Sequence, residues 1–162
     1  MTTEKRMTTV QREGKYLTFS LAGQEFGIGI LKVREIMGMM PVTAMPQMPE
    51  YVKGAINLRG TVIPVVDFRL KFGMDPVDKT DETCIIVVEI GEGEHRKLVG
   101  TIVDSVSEVL AIREADIEDP PTIGTQMNTD FILGMAKANG SVKILLEIDR
   151  VLDVAEISNV QA

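Results

Sequence analysis

The chain has 162 residues, which at about 100 to 200 residues per domain makes one domain, or two small ones sharing a core. With 44% apolar residues, 25% charged residues and the single cysteine Cys84, it has the composition of a globular protein that folds without a disulfide in a reducing compartment. A formal charge of −7, with two Tyr, five Phe and no Trp, argues against nucleic acid as a partner, because phosphate neutralisation and base stacking both lack their residues.

Residues 1–14 are polar and mixed in charge, without the apolar stretch of a signal peptide, and are read as a flexible N-terminus. No apolar run approaches about 18 residues, so no membrane insertion is expected and the cytoplasm is the expected compartment. Val and Ile together number 34 and sit in short runs separated by Gly, Pro, Asp and Asn, which predicts a mostly β chain. Residues 16–21 alternate Tyr16, Thr18 and Ser20 with Leu17, Phe19 and Leu21; with a turn at Gly23 they form a hairpin with 26–30. One helical turn, then a strand, is expected over 31–36, and Pro49 can open a helical turn before Val52. Further strands are predicted over 61–68, 84–90, 98–104, 106–112 and 142–148. A short amphipathic helix over 149–157 closes the core with Val151, Leu152 and Ala155.

The chain repeats itself. A shift of 73 sets Phe26-Gly27-Ile28 on Val99-Gly100-Thr101, Val33 on Val106, Glu35 on Glu108 and Ile36 on Val109. A shift of 80 sets Tyr51 on Phe131, Gly54 on Gly134, Gly60 on Gly140, Val62 on Val142 and Asp67-Phe68 on Glu147-Ile148. The extra residues of the second copy fall between Ala111 and Asp130, around Asp119-Pro120-Pro121. Each copy is a barrel of roughly 70 residues, marginal alone and stabilised by burying an apolar face on its twin, with a groove between the two. The expected bounds are about 15–80 and 81–152, strands being exchangeable at the boundary, and a C-terminal tail at 153–162.

Catalytic constellations are scarce. His95 is the only histidine and lies in the charged hairpin tip 91–97, where a solvated loop is the expected reading. No metal-ligand spacing and no phosphate-binding Gly motif is present, so no metal or cofactor is expected. Cys84 opens an apolar strand and reads as a buried thiol. The repeat-related Asp67 and Glu147 invite comparison with a proton-sharing acid dyad, but no Thr/Ser-Gly follows either one, and each is expected to be a turn-forming acid at a strand end.

Five of the ten methionines fall within 37–48, suiting either a pliable core lid or an apolar partner surface. Asn57 and Gly60 bracket a tight turn that presents Arg59 outward, either solvated or paired with a carboxylate such as Glu35.

The runs Ile30-Leu31-Lys32-Val33-Arg34-Glu35-Ile36, Lys53-Gly54-Ala55-Ile56-Asn57-Leu58-Arg59-Gly60 and Val62-Ile63-Pro64-Val65-Val66-Asp67-Phe68-Arg69 closely resemble CheW, the chemotaxis coupling family; 99–110 and 144–152 agree. The likeness covers about 16–152, and its Lys-Gly-x-x-Asn-Leu-Arg-Gly core is specific. It implies an all-β fold of two five-stranded SH3-like barrels with short helical turns and a C-terminal helix, in a freestanding adaptor without catalytic activity. Its implied partners are the cytoplasmic tips of methyl-accepting chemoreceptors, held as a helix in the inter-barrel groove, and the CheW-like regulatory domain of the histidine kinase CheA. Recruitment to membrane-associated receptor arrays follows. By motif, the coupling residues are Val33, Glu35, Ile36, Gly54, Asn57, Arg59 and Gly60, with Val109 and Gly134 at second-barrel positions of similar standing. Gly54 and Gly134 also read as a shared backbone role.

Overall fold

Short β-branched runs broken by Gly and Pro pair readily as antiparallel strands, and the computed structural model, which describes residues 12–121 and 130–152, contains eleven of them among those residues. In chain order they are β1 (Gly14–Leu21), β2 (Gln24–Gly29), β3 (Val33–Gly38), β4 (Val52–Leu58), β5 (Thr61–Asp67), β6 (Cys84–Ile90), β7 (Lys97–Val103), β8 (Ser105–Ile112), β9 (Ile117–Glu118), β10 (Ile132–Ala138) and β11 (Ser141–Leu146). Two single-turn helices, α1 (Phe68–Lys71) and α2 (Ile148–Val151), follow β5 and β11, and a 3-10 turn, Ile30–Lys32, precedes β3.

One sheet has the order β3-β6-β7-β5-β4 and the other β8-β1-β2-β11-β10-β9. Under the shifts read from the sequence, β3 corresponds to β8, β4 to β10, β5 to β11 and β7 to β2. Each sheet is therefore the same five-stranded barrel, and this is the expected SH3-like pair. The two-residue β9 is an addition; its first-barrel counterpart is a single bridge between Thr43 and Ala55. The duplication extends to irregularities. Bulges leave Lys53 unpaired between β4 and β5 and Leu133 between β10 and β11, and likewise Arg34 and Ser107 beside β6 and β1.

The boundary expected near residue 80 does not follow the sheets. The hairpin β6–β7 joins β3, β4 and β5, while β1–β2 joins β8, β10 and β11. Parallel pairs close both exchanges, Val65 opposite Gly100 in β5·β7 and Leu145 opposite Gly27 in β11·β2.

Other differences are local. Strands β4 and β10 carry a Gly, a bulge and several weak β formers, which broke the alternation that marks a strand. Pro49 opens a β-turn, its carbonyl accepting from the Val52 amide at 2.9 Å, rather than a helical turn. The strands expected to run to 68 and 148 stop earlier, where α1 and α2 begin. Asp67 ends β5 by accepting from the Arg69 and Leu70 amides. Of the helix expected over 149–157, α2 ends at Val151, and 153–157 lie outside the described residues.

Strands buried on both faces read as unbroken apolar runs, and β6 shows why. Ile85 and Val87 face the interior of their own barrel with Ile56, Ile63 and Val65; Ile86, Val88 and Ile90 face a core shared by both barrels with Leu17, Phe19, Ile28, Val66 and Leu146. All five phenylalanines meet in that shared core: Phe19 stacks on Phe26, Phe26 on Phe72, and Phe72 on Phe131, with Phe68 against Phe19 and Phe72.

Two polar clamps tie the barrels together at repeat-related places. Arg69 of α1 donates to both oxygens of Asp104 at 2.7 and 2.6 Å, and Asp104 accepts from the Ala22 amide in the β1–β2 turn. On the other side Asp149 of α2 accepts from the Gly91 amide in the β6–β7 turn and pairs with Lys32 at 2.7 Å. Acid and base have exchanged elements between the two clamps.

Gly54 has φ +145°, and a Cβ there would lie 1.9 Å from the Thr43 carbonyl oxygen. At Gly134 it would lie 2.5 Å from Ile117 Cγ2. Backbone cannot yield as a side-chain methyl can, so Gly54→Ala is expected to cost about 2 to 4 kcal/mol in urea unfolding and Gly134→Ala measurably less.

Arg69, by hydrogen bonding, holds the Asp104 carboxyl below its ordinary value of 3.8 against the opposing effect of burial. A lowered folded-state pKa gives stability that is complete above the unfolded value and is lost as pH falls through the folded one. Asp104→Asn should therefore be less stable than wild type by about 2 kcal/mol at pH 7, with the gap closing progressively below about pH 4; urea titrations across that range measure it.

Candidate docking surface

The turn between β4 and β5 is the centre of the resemblance. Leu58 pairs with Thr61, so Arg59 and Gly60 are the two turn residues, with φ +50° and +90°. Positive φ at both positions is what a tight hairpin of twisted strands demands. Asn57 accepts from the Gly60 amide at 2.7 Å and fixes the turn. Arg59 then reaches across to β3, where its guanidinium donates to both carboxylate oxygens of Glu35, Nη1 to Oε2 at 3.1 Å. The hydrogen bonds from Arg59 draw the Glu35 carboxyl below its ordinary value, and the same bonds raise Arg59. Of the two readings open for Arg59, pairing is the one realised.

These contacts bring Glu35, Asn57, Arg59 and Gly60 together. Ile36, next on β3, is 44% exposed, and Val62, opposite Asn57, is 58% exposed. Val33 is half-buried against the shared core, and Gly54 is buried beneath the 43–44 backbone. Val109 and Gly134 lie in the other sheet, on β8 and β10.

The second barrel repeats this arrangement. Asn139 has φ +51° in the equivalent turn and donates to Glu108 at 3.3 Å, while Val109 and Val142 are exposed as Ile36 and Val62 are. Four of the six large apolar side chains exposed among the described residues are thus two repeat-related pairs. Asn139, Glu108, Val62 and Val142 are not among the coupling residues the resemblance marks; the shifts of 73 and 80 lead from Glu35 to Glu108 and from Arg59 to Asn139, and they pair Val62 with Val142.

The methionine segment is a lid. Met45 and Met48 pack on the shared core, and Met37, Met39 and Met40 on the interior of the first barrel. The space between the barrels is mostly filled core. An open cleft of about 520 Å³ remains where Phe26, Phe72, Phe131 and Ile144 meet Lys71 and Arg150, and none of the nine candidate residues lines it. His95 is exposed at the hairpin tip. Cys84 is half-buried, with Sγ 3.1 Å from the Glu82 carbonyl. Asp67 is occupied in capping α1, and Glu147 precedes α2 in the other sheet. Among the described residues no cluster of His, Cys, Asp and Glu could hold a metal, and no helix is long and apolar enough to cross a membrane.

Two fused small barrels thus present ordered turns and isolated apolar side chains at repeat-related places, and the comparisons with known proteins place that architecture among scaffold proteins. Residues 15–156 match the family model of the CheW-like domain. The chain is 38% identical over 152 residues to the chemotaxis protein CheW of Rhizobium meliloti, covering 94% of both chains. It is 36% identical over 146 residues to a probable chemotaxis protein CheW of Rhizobium etli, covering 90% of this chain and 92% of the relative. The crystal structure of the scaffolding protein TtCheW from Thermoanaerobacter tengcongensis superimposes with a TM-score of 0.78 at 35% identity, over 90% of this chain and 97% of that one. The chain belongs to the CheW family of chemotaxis scaffold proteins and is not an enzyme.

The second barrel also supplies a control for the turn. Arg59→Asn, which installs the residue found at 139, keeps a side chain that tolerates positive φ and removes the ion pair. Its melting temperature is expected to stay within about 3 °C of wild type by calorimetry, since an exposed pair contributes little.

Proposed function

We propose that the protein couples methyl-accepting chemoreceptors to the histidine kinase CheA, binding the receptor's cytoplasmic tip as a helix in the inter-barrel groove and the kinase's CheW-like regulatory domain at a second surface. The observation that carries this reading is the Glu35–Arg59 pair. It is ordered by an Asn-capped turn, stands in solvent between exposed Ile36 and Val62, and adds little to stability. An arrangement so defined and so weakly stabilising suits recognition better than folding. β3 and β8 are edge strands of their sheets and present Ile36 and Val109 to solvent, as the apolar face of an amphipathic helix requires. The effect on the kinase is geometric: receptor state biases how the kinase domain is held, with no bond made or broken. In this reading the protein works in the cytoplasm, at membrane-associated receptor arrays.

Gly54 and Gly134 act through the fold, whereas Arg59, Glu35 and Ile36 act at the surface. Arg59→Glu sets two carboxylates side by side and should weaken binding of a receptor-tip fragment at least tenfold in titration calorimetry, leaving the circular dichroism spectrum and the binding of the isolated kinase regulatory domain unchanged. A wild-type protein that binds neither partner while folded would overturn the coupling role; an unfolded Arg59→Glu variant would remove Arg59 from the surface.

A further inference from the structure

The margin between the barrels opens into a cleft of about 520 Å³, a size suited to binding, and its walls come from both barrels. Phe26 of β2 and Ile144 of β11 belong to the second barrel's sheet, Phe72 follows α1 at the end of the first barrel's strands, and Phe131 leads into β10. The rings of Phe26, Phe72 and Phe131 stack in series, with centroids 5.7 and 5.4 Å apart. Two cations, Lys71 of α1 and Arg150 of α2, line the same cleft, and among the described residues no carboxylate does.

The two cations differ in how they are held. Lys71 lies over the Tyr51 ring, 4.2 Å from its centroid, whereas Arg150 is exposed. Arg12, Arg34, Arg59, Arg69, Arg96 and Arg113 each meet a carboxylate or carbonyl oxygen; among the described residues, Arg150 is the arginine whose guanidinium meets none. Glu147, one turn earlier, shares the neighbouring recess with Arg150 but does not hydrogen-bond to its side chain. In a chain of net charge −7 carboxylates are plentiful, so an unmatched guanidinium beside stacked aromatic rings is placed for an acid from elsewhere. The duplication does not repeat this arrangement. Under the shifts of 73 and 80, Val99 stands for Phe26, Tyr51 for Phe131 and Leu70 for Arg150; Val99 is fully buried, and Met45, Met48 and Tyr51 pack on the shared core.

We propose that Arg150 is a specificity-determining residue that pairs with a carboxylate on the receptor-tip helix, so that the cleft admits helices carrying an acid beside the apolar stripe seated on Phe26, Phe72, Phe131 and Ile144. This rests on the coupling role proposed above and keeps the helix in the same inter-barrel groove. The apolar side chains supply an attraction common to any amphipathic helix. A guanidinium supplies direction, because its planar fork matches a carboxylate in two parallel hydrogen bonds. A helix that brings a lysine or arginine to that point sets like charges against each other in a partly desolvated cleft that also holds Lys71, and is rejected.

The test uses Arg150→Gln and Arg150→Glu in the full chain, with titration calorimetry against the receptor-tip fragment and, separately, the kinase regulatory domain. Both variants should keep the wild-type circular dichroism spectrum, since the guanidinium holds no other group in place. The receptor Kd should rise about threefold in Arg150→Gln and about tenfold in Arg150→Glu, with the kinase-domain Kd unchanged. Raising NaCl from about 50 to about 300 mM should weaken wild-type receptor binding more than that of Arg150→Gln. Each acidic residue of the receptor fragment is then changed in turn to Lys, and one such fragment should bind Arg150→Glu more tightly than it binds wild type. Folded variants that bind the unaltered fragment as wild type does would overturn the proposal and leave coupling intact, and so would a set of Lys-bearing fragments of which none prefers Arg150→Glu. Loss of the fold in both variants would overturn it too, since Arg150 would then serve the structure. A wild type that sediments as a dimer, dissociated by Arg150→Gln, would give the cleft to a second copy and refute the proposal. A wild type that binds neither fragment would instead remove the coupling role and this proposal with it.

Discussion

Everything in this molecule depends on one constraint: neither set of repeat strands can close a barrel by itself. Each copy contributes a hairpin to one sheet and three strands to the other, and the parallel pairs β5·β7 and β11·β2 are the stitches. The strands of those hairpins consequently bury both faces, one inside a barrel and one in the shared core. A single cooperative unit results, for opening either barrel would uncover the core of the other. The five phenylalanines stack across this seam, and the two clamps, Arg69–Asp104 and Lys32–Asp149, tie each α-turn to the corner or hairpin turn it packs against.

A rigid seam explains where recognition can occur. Interior and shared faces are occupied except at the cleft beside Phe26, Phe72, Phe131 and Ile144, so what remains for partners is that cleft, the turns, the outward residues of edge strands and the barrel ends. Arg59 and Asn139 occupy the same turn position and reach Glu35 and Glu108, Arg59 through two charged hydrogen bonds and Asn139 through one from its amide. The fold thus offers two like surfaces with unlike side chains: a guanidinium against an amide in the turns, and Ile63 with Leu98 against Lys143 with Glu25 beneath them.

Much of this was legible in the residues. The two shifts of 73 and 80 exposed the duplication, and the structure extends it to bulges at Lys53 and Leu133. Alternation found β1, and an unbroken apolar run found β6. Strands β4 and β10 escaped because Gly54 and Gly134 interrupt their pattern, and the interruption has a reason: both glycines admit a close neighbour, the Thr43 backbone in one case and the Ile117 side chain in the other. Local composition cannot report an approach made by a segment more than ten residues away.

By itself the sequence determined an all-β, duplicated, acidic chain, because periodicity, composition and the Asn-Leu-Arg-Gly turn are local properties. Only the tertiary structure decided which hairpin completes which barrel, that the methionines form a lid, that Arg59 is paired to Glu35, and that Lys143 is buried against Glu25. Those outcomes depend on contacts between residues 24 to 118 positions apart, and such pairings are fixed by the closure of the sheets rather than by any stretch of chain.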